Sequence, residues 1–130
     1  MKSVLIVDDE QIVLDVLQRI LSRLGYNTII SGSGEEAIQT FNQNAFDLVL
    51  LDVLMPERNG FEIAKIMRRT RPGQKIVMVT GLGEEAVEAQ AISEKIGIDT
   101  VLSKPFSFDK VRSILDNLLN DEDEKKKEVA

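Results

Sequence analysis

The chain has 130 residues, 43% hydrophobic and 29% charged, and a formal net charge of −6, which is room for one hydrophobic core in one ordinary globular domain. It contains no histidine and no cysteine, which excludes Cys/His zinc sites, cysteine nucleophiles, Ser-His-Asp triads and a phosphohistidine of its own, and the acidic balance argues against unaided nucleic-acid binding. No apolar run approaches the roughly 20 residues that cross a bilayer, the opening MKSVLIVDD lacks the layout of an export signal, and a cysteine-free chain fits the cytoplasm.

In chain order, Ser3 to Val7 reads as a short apolar strand. Gln11 to Leu24 follows with a helical period, its stripe made of Val13, Val16, Leu17, Ile20, Leu21 and Leu24, and Gly25 supplies a stop. Asn27 to Ser31 is a second strand. Ser33 and Glu36 form a capping-box pattern that opens a helix reaching about Asn44. Leu48 to Leu51 is a third strand, apolar throughout, and a helix from about Phe61 to Arg69 ends before Pro72 and Gly73. Lys75 to Val79 is the fourth strand. Glu84 to Ile96 is the fourth helix, opened by acids and closed by Gly97. Thr100 to Ser103 is the fifth strand, and Ser107 caps a last helix whose inner side carries Phe108, Val111, Ile114, Leu115, Leu118 and Leu119.

Five strand-helix units with short connections, and strands too apolar for a sheet wet on one side, predict an α/β fold with a parallel sheet covered by helices on both faces. Right-handed crossovers leave few topologies, and the expected one is the flavodoxin-like (βα)5 order 2-1-3-4-5. Residues 1–120 are expected to form the domain. Residues 121–130, DEDEKKKEVA, form a charged tail whose acid and lysine pairs four apart suit either a helix extension or disorder.

In such sheets ligands bind beyond the carboxyl ends of the strands, where strand order reverses. Strand one ends in Asp8 and Asp9, strand three in Asp52, strand four in Thr80, and strand five runs into Lys104 and Pro105. Three carboxylates at one rim repel each other, and one ammonium cannot balance them. Oxygen ligands without imidazole or thiolate favour a hard divalent ion such as Mg2+, which with the lysine would bring the site to neutrality. That set suits phosphoryl transfer to a carboxylate: Asp52 attacks, and Lys104 and the Thr80 hydroxyl hold phosphoryl oxygens.

These residues resemble the response-regulator receiver domains of two-component signalling. The resemblance covers residues 1 to about 120 and rests on VDDE, LLDVLMPERNG, VTG and SKPF. Each motif alone is weak, but the four in order, each at a strand end, are highly specific. The resemblance implies that Asp52 is the phosphoacceptor, that Asp9 and Asp52 ligate Mg2+ with Asp8 acting largely through a bound water, and that the Leu54 backbone carbonyl is a further ligand. It implies a cis Lys104–Pro105 peptide, and a phosphoryl group received from a sensor histidine kinase or a phosphotransfer protein. Such a domain is no enzyme beyond catalysing its own phosphorylation and dephosphorylation. Its changed surface, helix four, strand five and helix five, would meet a downstream protein or a second copy, without direct contact to nucleic acid or membrane. Glu84, Glu85, Glu88, Glu94, Lys95 and Arg112 would supply the charge there.

The chain departs from the family pattern at Val101, where many relatives carry an aromatic residue, so the transmitted change is expected to run through loop and helix-four movement. Leu54 and Leu82 stand where polar residues help a hydrolytic water in relatives, which predicts a long-lived phosphoryl group. The bland readings are that Asp8 and Asp9 cap a helix, that MPERNG is only a turn, that GLGEE is a flexible lead without P-loop chemistry, and that Lys65, Arg68, Arg69 and Arg71 are a solvated helix end. Two rival functions stand beside the receiver: an aspartyl-phosphate phosphohydrolase, and an interaction module of the same fold that is never phosphorylated.

Overall fold

In the computed structural model the described residues are 1–56, 58–81 and 84–120, with the side chains of 84–88, 91 and 120 excepted. Five strands, β1 (Ser3–Val7), β2 (Asn27–Ser31), β3 (Leu48–Asp52), β4 (Ile76–Thr80) and β5 (Thr100–Ser103), form one parallel sheet in the order β2-β1-β3-β4-β5. Between and after them run α1 (Gln11–Arg23), α2 (Gly34–Gln43), α3 (Gly60–Thr70), α4 (Glu84–Ile96) and α5 (Phe108–Leu115), the last continuing as a π-helical turn over Asp116–Asn120. The flavodoxin-like topology expected from the strand-helix alternation is therefore the observed one.

Side chains alternate across the sheet with the period of two that a strand imposes. Leu5, Val7, Val49, Leu51, Ile76 and Met78 face one way, against Phe41 of α2 and Ile63 and Met67 of α3, with Ala89 of α4 in the same cluster. Val4, Ile6, Leu48, Leu50, Val77 and Val79 face the other way, against α1 and α5. Each large aliphatic residue so buried contributes about 1.5–3 kcal/mol. Central strands covered on both faces must be apolar along their length, which is why LVLLD reads as it does and why its terminal aspartate is conspicuous.

The helix ends follow local chemistry. Ser33 Oγ accepts from Glu36 N–H at 3.2 Å and Ser107 Oγ from Lys110 N–H at 3.1 Å; each satisfies one of the amides a first turn leaves bare. Gly25 and Gly97 close α1 and α4 with φ of 89° and 73°, where a side chain would be strained. One detail corrects the sequence reading: the buried stripe of α1 is Leu14, Leu17 and Leu21, and Val16 is exposed. Positions 14, 17 and 21 follow the three- and four-residue spacing of one face, and Val16 is rotated off it. The expected pairs in residues 121–130 lie outside the described residues.

Candidate phosphoacceptor and metal site

Side chains are buried from Val4 onward in β1 and throughout β3 and β4, up to a polar rim. Asp8 is 1% exposed, Asp52 4% and Thr80 1%. Asp8 follows the last residue of β1, and its N–H donates to the Ser31 carbonyl at the end of β2 (3.1 Å). Asp52 is the last residue of the central strand β3, paired with Val79 on β4. Thr80 ends β4 beside Ser103 of β5, and its carbonyl accepts from the Lys104 N–H at 2.7 Å. The Lys104–Pro105 peptide is cis.

These five residues do not all sit alike. Asp8, Asp9 and Asp52 each bring a carboxylate oxygen within 4.8 Å of the others, with Asp9 exposed and the other two buried. Lys104 Nζ stands 3.4 Å from Asp8 Oδ2 and 3.7 Å from Asp52 Oδ1. The Asp8 contact is within ion-pair range but lacks hydrogen-bond alignment, and Asp8 Oδ2 is left buried with no hydrogen-bond partner. Thr80 Oγ1 is in the same condition. A buried polar oxygen without a partner costs about 1–3 kcal/mol, so Thr80 Oγ1 marks a place built for something further, and Asp8 Oδ2 is met there by the Lys104 ammonium alone.

Burial, reinforced by the charge of Asp8, pushes the Asp52 carboxyl up to about 7, against pulls from Lys104 and from the Leu54 N–H. Burial likewise raises Asp8, against a hydrogen bond from the Glu10 N–H. For Lys104 burial pulls down, but Asp52, Asp8 and Glu10 together outweigh it and raise the ammonium. The cluster holds more negative charge than one lysine neutralises.

Mg2+ fits this place. It takes oxygen ligands at about 2.1 Å, so opposite ligands stand about 4.2 Å apart, close to the spread of the three carboxylates. Three clustered carboxylates with one ammonium beside them are the kind of group that a divalent cation satisfies.

The loop after β3 is shaped around the same point. Leu54 bridges to Asn59, the Gly60 N–H donates to the Val53 carbonyl at 2.8 Å, and Asn59 Oδ1 caps α3 by accepting from the Phe61 N–H at 2.8 Å. Leu54 itself is 60% exposed. Leu82, expected beside it, lies outside the described residues.

Sequence reasoning passed over two residues at this rim. Glu10 is the N-cap of α1 but makes no side-chain cap bond; its Oε1 lies 3.6 Å from Lys104 Nζ. Ile12, on the first turn of α1, is 78% exposed. The signal for Ile12 was present, an isoleucine off the Leu14-Leu17-Leu21 stripe. Nothing local in the sequence ties Glu10 to Lys104. On the far surface, Glu94 and Lys95 are exposed and Arg112 pairs with Asp109 at 3.2 Å, while the side chains of Glu84, Glu85 and Glu88 lie outside those described.

Residues 4–116 match the family model described as the response regulator receiver domain. The chain is 36% identical over 106 residues to the alkaline phosphatase synthesis transcriptional regulatory protein PhoP of Bacillus subtilis (strain 168), a match covering 82% of this chain and 43% of PhoP. It thus spans less than half the length of that curated relative. Among solved structures, the CheY-like receiver domain protein from Methanospirillum hungatei JF-1 superposes with a TM-score of 0.82 at 32% identity, over 98% of each chain. The response regulator protein TrrA from Thermotoga maritima, solved in complex with Mg2+-BeF, gives a TM-score of 0.82 at 31% identity, over 92% of this chain and 100% of that one.

Proposed function

This chain belongs to the response regulator receiver domain family and is a phosphoacceptor signalling domain, and from that premise we propose that Asp52 is the acceptor, served by Asp8, Asp9, Thr80 and Lys104. The observation that carries the assignment is the meeting of three carboxylates and one ammonium at the carboxyl edge of the sheet. Asp52 is the member at the end of the central strand, nearest the middle of the group in topology, with β1 and β4 as its neighbours.

In the proposed transfer an Asp52 carboxylate oxygen attacks the phosphorus of a phosphohistidine on a partner. The phosphorus–oxygen bond forms as the phosphorus–nitrogen bond breaks, and the electron pair returns to the imidazole, which leaves neutral when its other nitrogen carries a proton. Lys104 would move onto one phosphoryl oxygen and the Thr80 hydroxyl would donate to another, giving that buried hydroxyl its partner. Asp8, Asp9, Asp52 and the Leu54 carbonyl would hold Mg2+, with Asp8 acting largely through water. The ion supplies positive charge to the phosphoryl oxygens as negative charge builds on them.

The chain lacks a histidine, so the donor chemistry belongs to a sensor histidine kinase or a phosphotransfer protein, and the cytoplasm is the compartment proposed for their meeting. The exposed Ile12 and Val16 on α1, beside the site, offer apolar surface to such a partner. Catalysis by the chain is confined in this reading to its own phosphorylation and dephosphorylation. Loading replaces a carboxylate by an acyl phosphate carrying about one more negative charge. The response would pass through the loop after Thr80 into α4, β5 and α5, the face proposed for a downstream protein or a second copy. Val101 packs against the core as a partly buried aliphatic residue and has no ring to turn. The receiver unit is taken as residues 1–120, with 121–130 as a tail.

The test is mass spectrometry of the intact protein after phosphoramidate and Mg2+, and after candidate kinases with ATP. Gain of one phosphoryl group by the wild type and none by Asp52→Asn is the expected result. Equal gain by both would move the acceptor elsewhere.

A further inference from the structure

We propose that Glu10 is a positioning residue that holds Lys104 back from the phosphoryl position until Asp52 is loaded, an inference that rests on the phosphoacceptor reading of the site. Lys104 Nζ is shared among three carboxylates at nearly equal distance, 3.4 Å from Asp8, 3.6 Å from Glu10 and 3.7 Å from Asp52. Asp8 and Asp52 belong to the carboxylate cluster, whose charge Lys104 and a divalent ion would together balance. Glu10 is outside that cluster and is a surplus negative charge at the mouth of the site.

Its local geometry points the same way. The side chains that cap a helix well are those of Ser, Thr, Asp and Asn, and glutamate is too long to be among them. Glu10 occupies the N-cap of α1 and makes no cap bond; its carboxylate is turned to Lys104 instead. Its backbone is held, since its N–H donates to Asp8 Oδ1 at 2.9 Å. The bland alternative, an acid merely placed in the field of the α1 N-terminus, predicts no contact with Lys104.

The consequence is a competition. For Lys104 to hold a phosphoryl oxygen it must turn from Glu10 toward Asp52, and Glu10, a 63% exposed side chain on a backbone tied to Asp8, would be left behind. Glu10 therefore favours the resting state over the loaded one. An exposed ion pair of this kind supports an effect of about 2- to 5-fold, enough to tune a switch without disabling it.

Beryllofluoride binding in saturating Mg2+ measures this without phosphoryl turnover. Glu10→Gln is expected to bind beryllofluoride about 2- to 5-fold more tightly than the wild type, with an advantage that shrinks as salt is added. Glu10→Asp keeps the charge but withdraws it from Lys104, and is expected to tighten binding as Glu10→Gln does. The thermal midpoint of the metal-free protein should fall in Glu10→Gln by no more than the few degrees that loss of one exposed ion pair implies, while in Glu10→Asp a new cap bond offsets that loss. If Glu10→Gln tightens binding while Glu10→Asp matches the wild type, Glu10 repels the anion directly and the anchoring role is overturned. Unchanged affinity in both variants overturns it as well. Failure of the wild type itself to bind beryllofluoride would instead strike the phosphoacceptor reading, and Glu10 with it.

Discussion

A Cβ added to Gly60 would stand 2.1 Å from the carbonyl oxygen of Asp52, so the loop that leaves β3 can return to open α3 only on a glycine. The constraint comes from space, since the neighbouring atoms are backbone of Asp52 and Val53 and cannot swing aside as a side chain would. Asparagine 59 and Gly60 thus fix the height at which Asp52 is presented to the rim.

Gly60→Ala is accordingly expected to lose about 1–3 kcal/mol of stability, the ordinary penalty of overpacking, and to slow phosphorylation beyond that loss by tilting the end of β3. Urea unfolding and the rate of mass gain from phosphoramidate check the two halves. A variant as stable as the wild type would mean that the loop relaxes at no cost.

The raised carboxyl of Asp52 gives a pH dependence with a definite sign. Its ordinary value is 3.8 and in the fold it lies at about 7, so between those pH values the folded protein keeps a proton that the unfolded chain has released. Stability of the metal-free protein must therefore fall as pH rises from about 4 to about 7 and level off above. The full shift is worth at most about 4 kcal/mol, and Asp8, itself raised, shares in it. Asp52→Asn removes the penalty: it should be more stable than the wild type by about 1–3 kcal/mol at pH 8, with the gap closing toward pH 4. A gap independent of pH would mean that the carboxyl is not buried as described.

Magnesium competes with the same proton. Its affinity should drop about tenfold per pH unit below about 7, because binding must displace one proton from Asp52. Calorimetric titration at several pH values, with proton release read from buffers of different ionisation heat, measures this. Affinity flat from pH 5 to 8 would leave Asp52 out of the ligand set.

Most of the architecture was legible because it follows from repeating local signals. Apolar strands of the right length, glycine stops at 25 and 97, and hydroxyl caps at 33 and 107 each act within a few residues. The site was legible for a related reason: a parallel sheet sends every strand end to one edge, so the positions of Asp8, Asp9, Asp52, Thr80 and Lys104 in their own strands sufficed to bring them together. What could not be read is what depends on rotation or reach. The face of α1 was misjudged by including Val16 and omitting Leu14, since several neighbouring residues are apolar and the stripe has more than one fit. The turning of Glu10 toward Lys104, across most of the chain, has no local signature at all.

A second long-range tie of this kind lies at the opposite edge of the sheet. Arg68 of α3 donates from Nη1 to the Gly97 carbonyl at 2.9 Å and from Nη2 to Asp99 Oδ2 at 2.8 Å, and the same Asp99 oxygen accepts from the Ile76 N–H at 2.9 Å. One guanidinium so joins the end of α3, the end of α4 and the starts of β4 and β5. Arg68→Met should cost about 1–3 kcal/mol, the range for hydrogen bonds to charged groups, and raise amide exchange at Gly97 and Ile98. The end of α4 and the start of β5 lie at the other end of the strands from Asp52, so phosphorylation by phosphoramidate should keep its wild-type rate. A variant that loses that rate while remaining folded would show coupling along α4 that this geometry does not contain.

The lifetime of the loaded state rests on Leu54. Hydrolysis of an acyl phosphate needs a water held in line with the phosphorus–oxygen bond to Asp52, and a water is held by hydrogen bonds. Two residues beyond Asp52 stands a largely exposed aliphatic side chain, which offers a water nothing to bind. The loaded protein should therefore persist well beyond seconds. Leu54→Asn, which supplies an amide in place of the isobutyl group, should hasten dephosphorylation up to about tenfold, equivalent to ~1.4 kcal/mol at the transition state, and leave beryllofluoride affinity nearly unchanged. Decay of the phosphorylated wild type within seconds, or equal decay in the two proteins, would show that the attacking water is positioned by something other than residue 54.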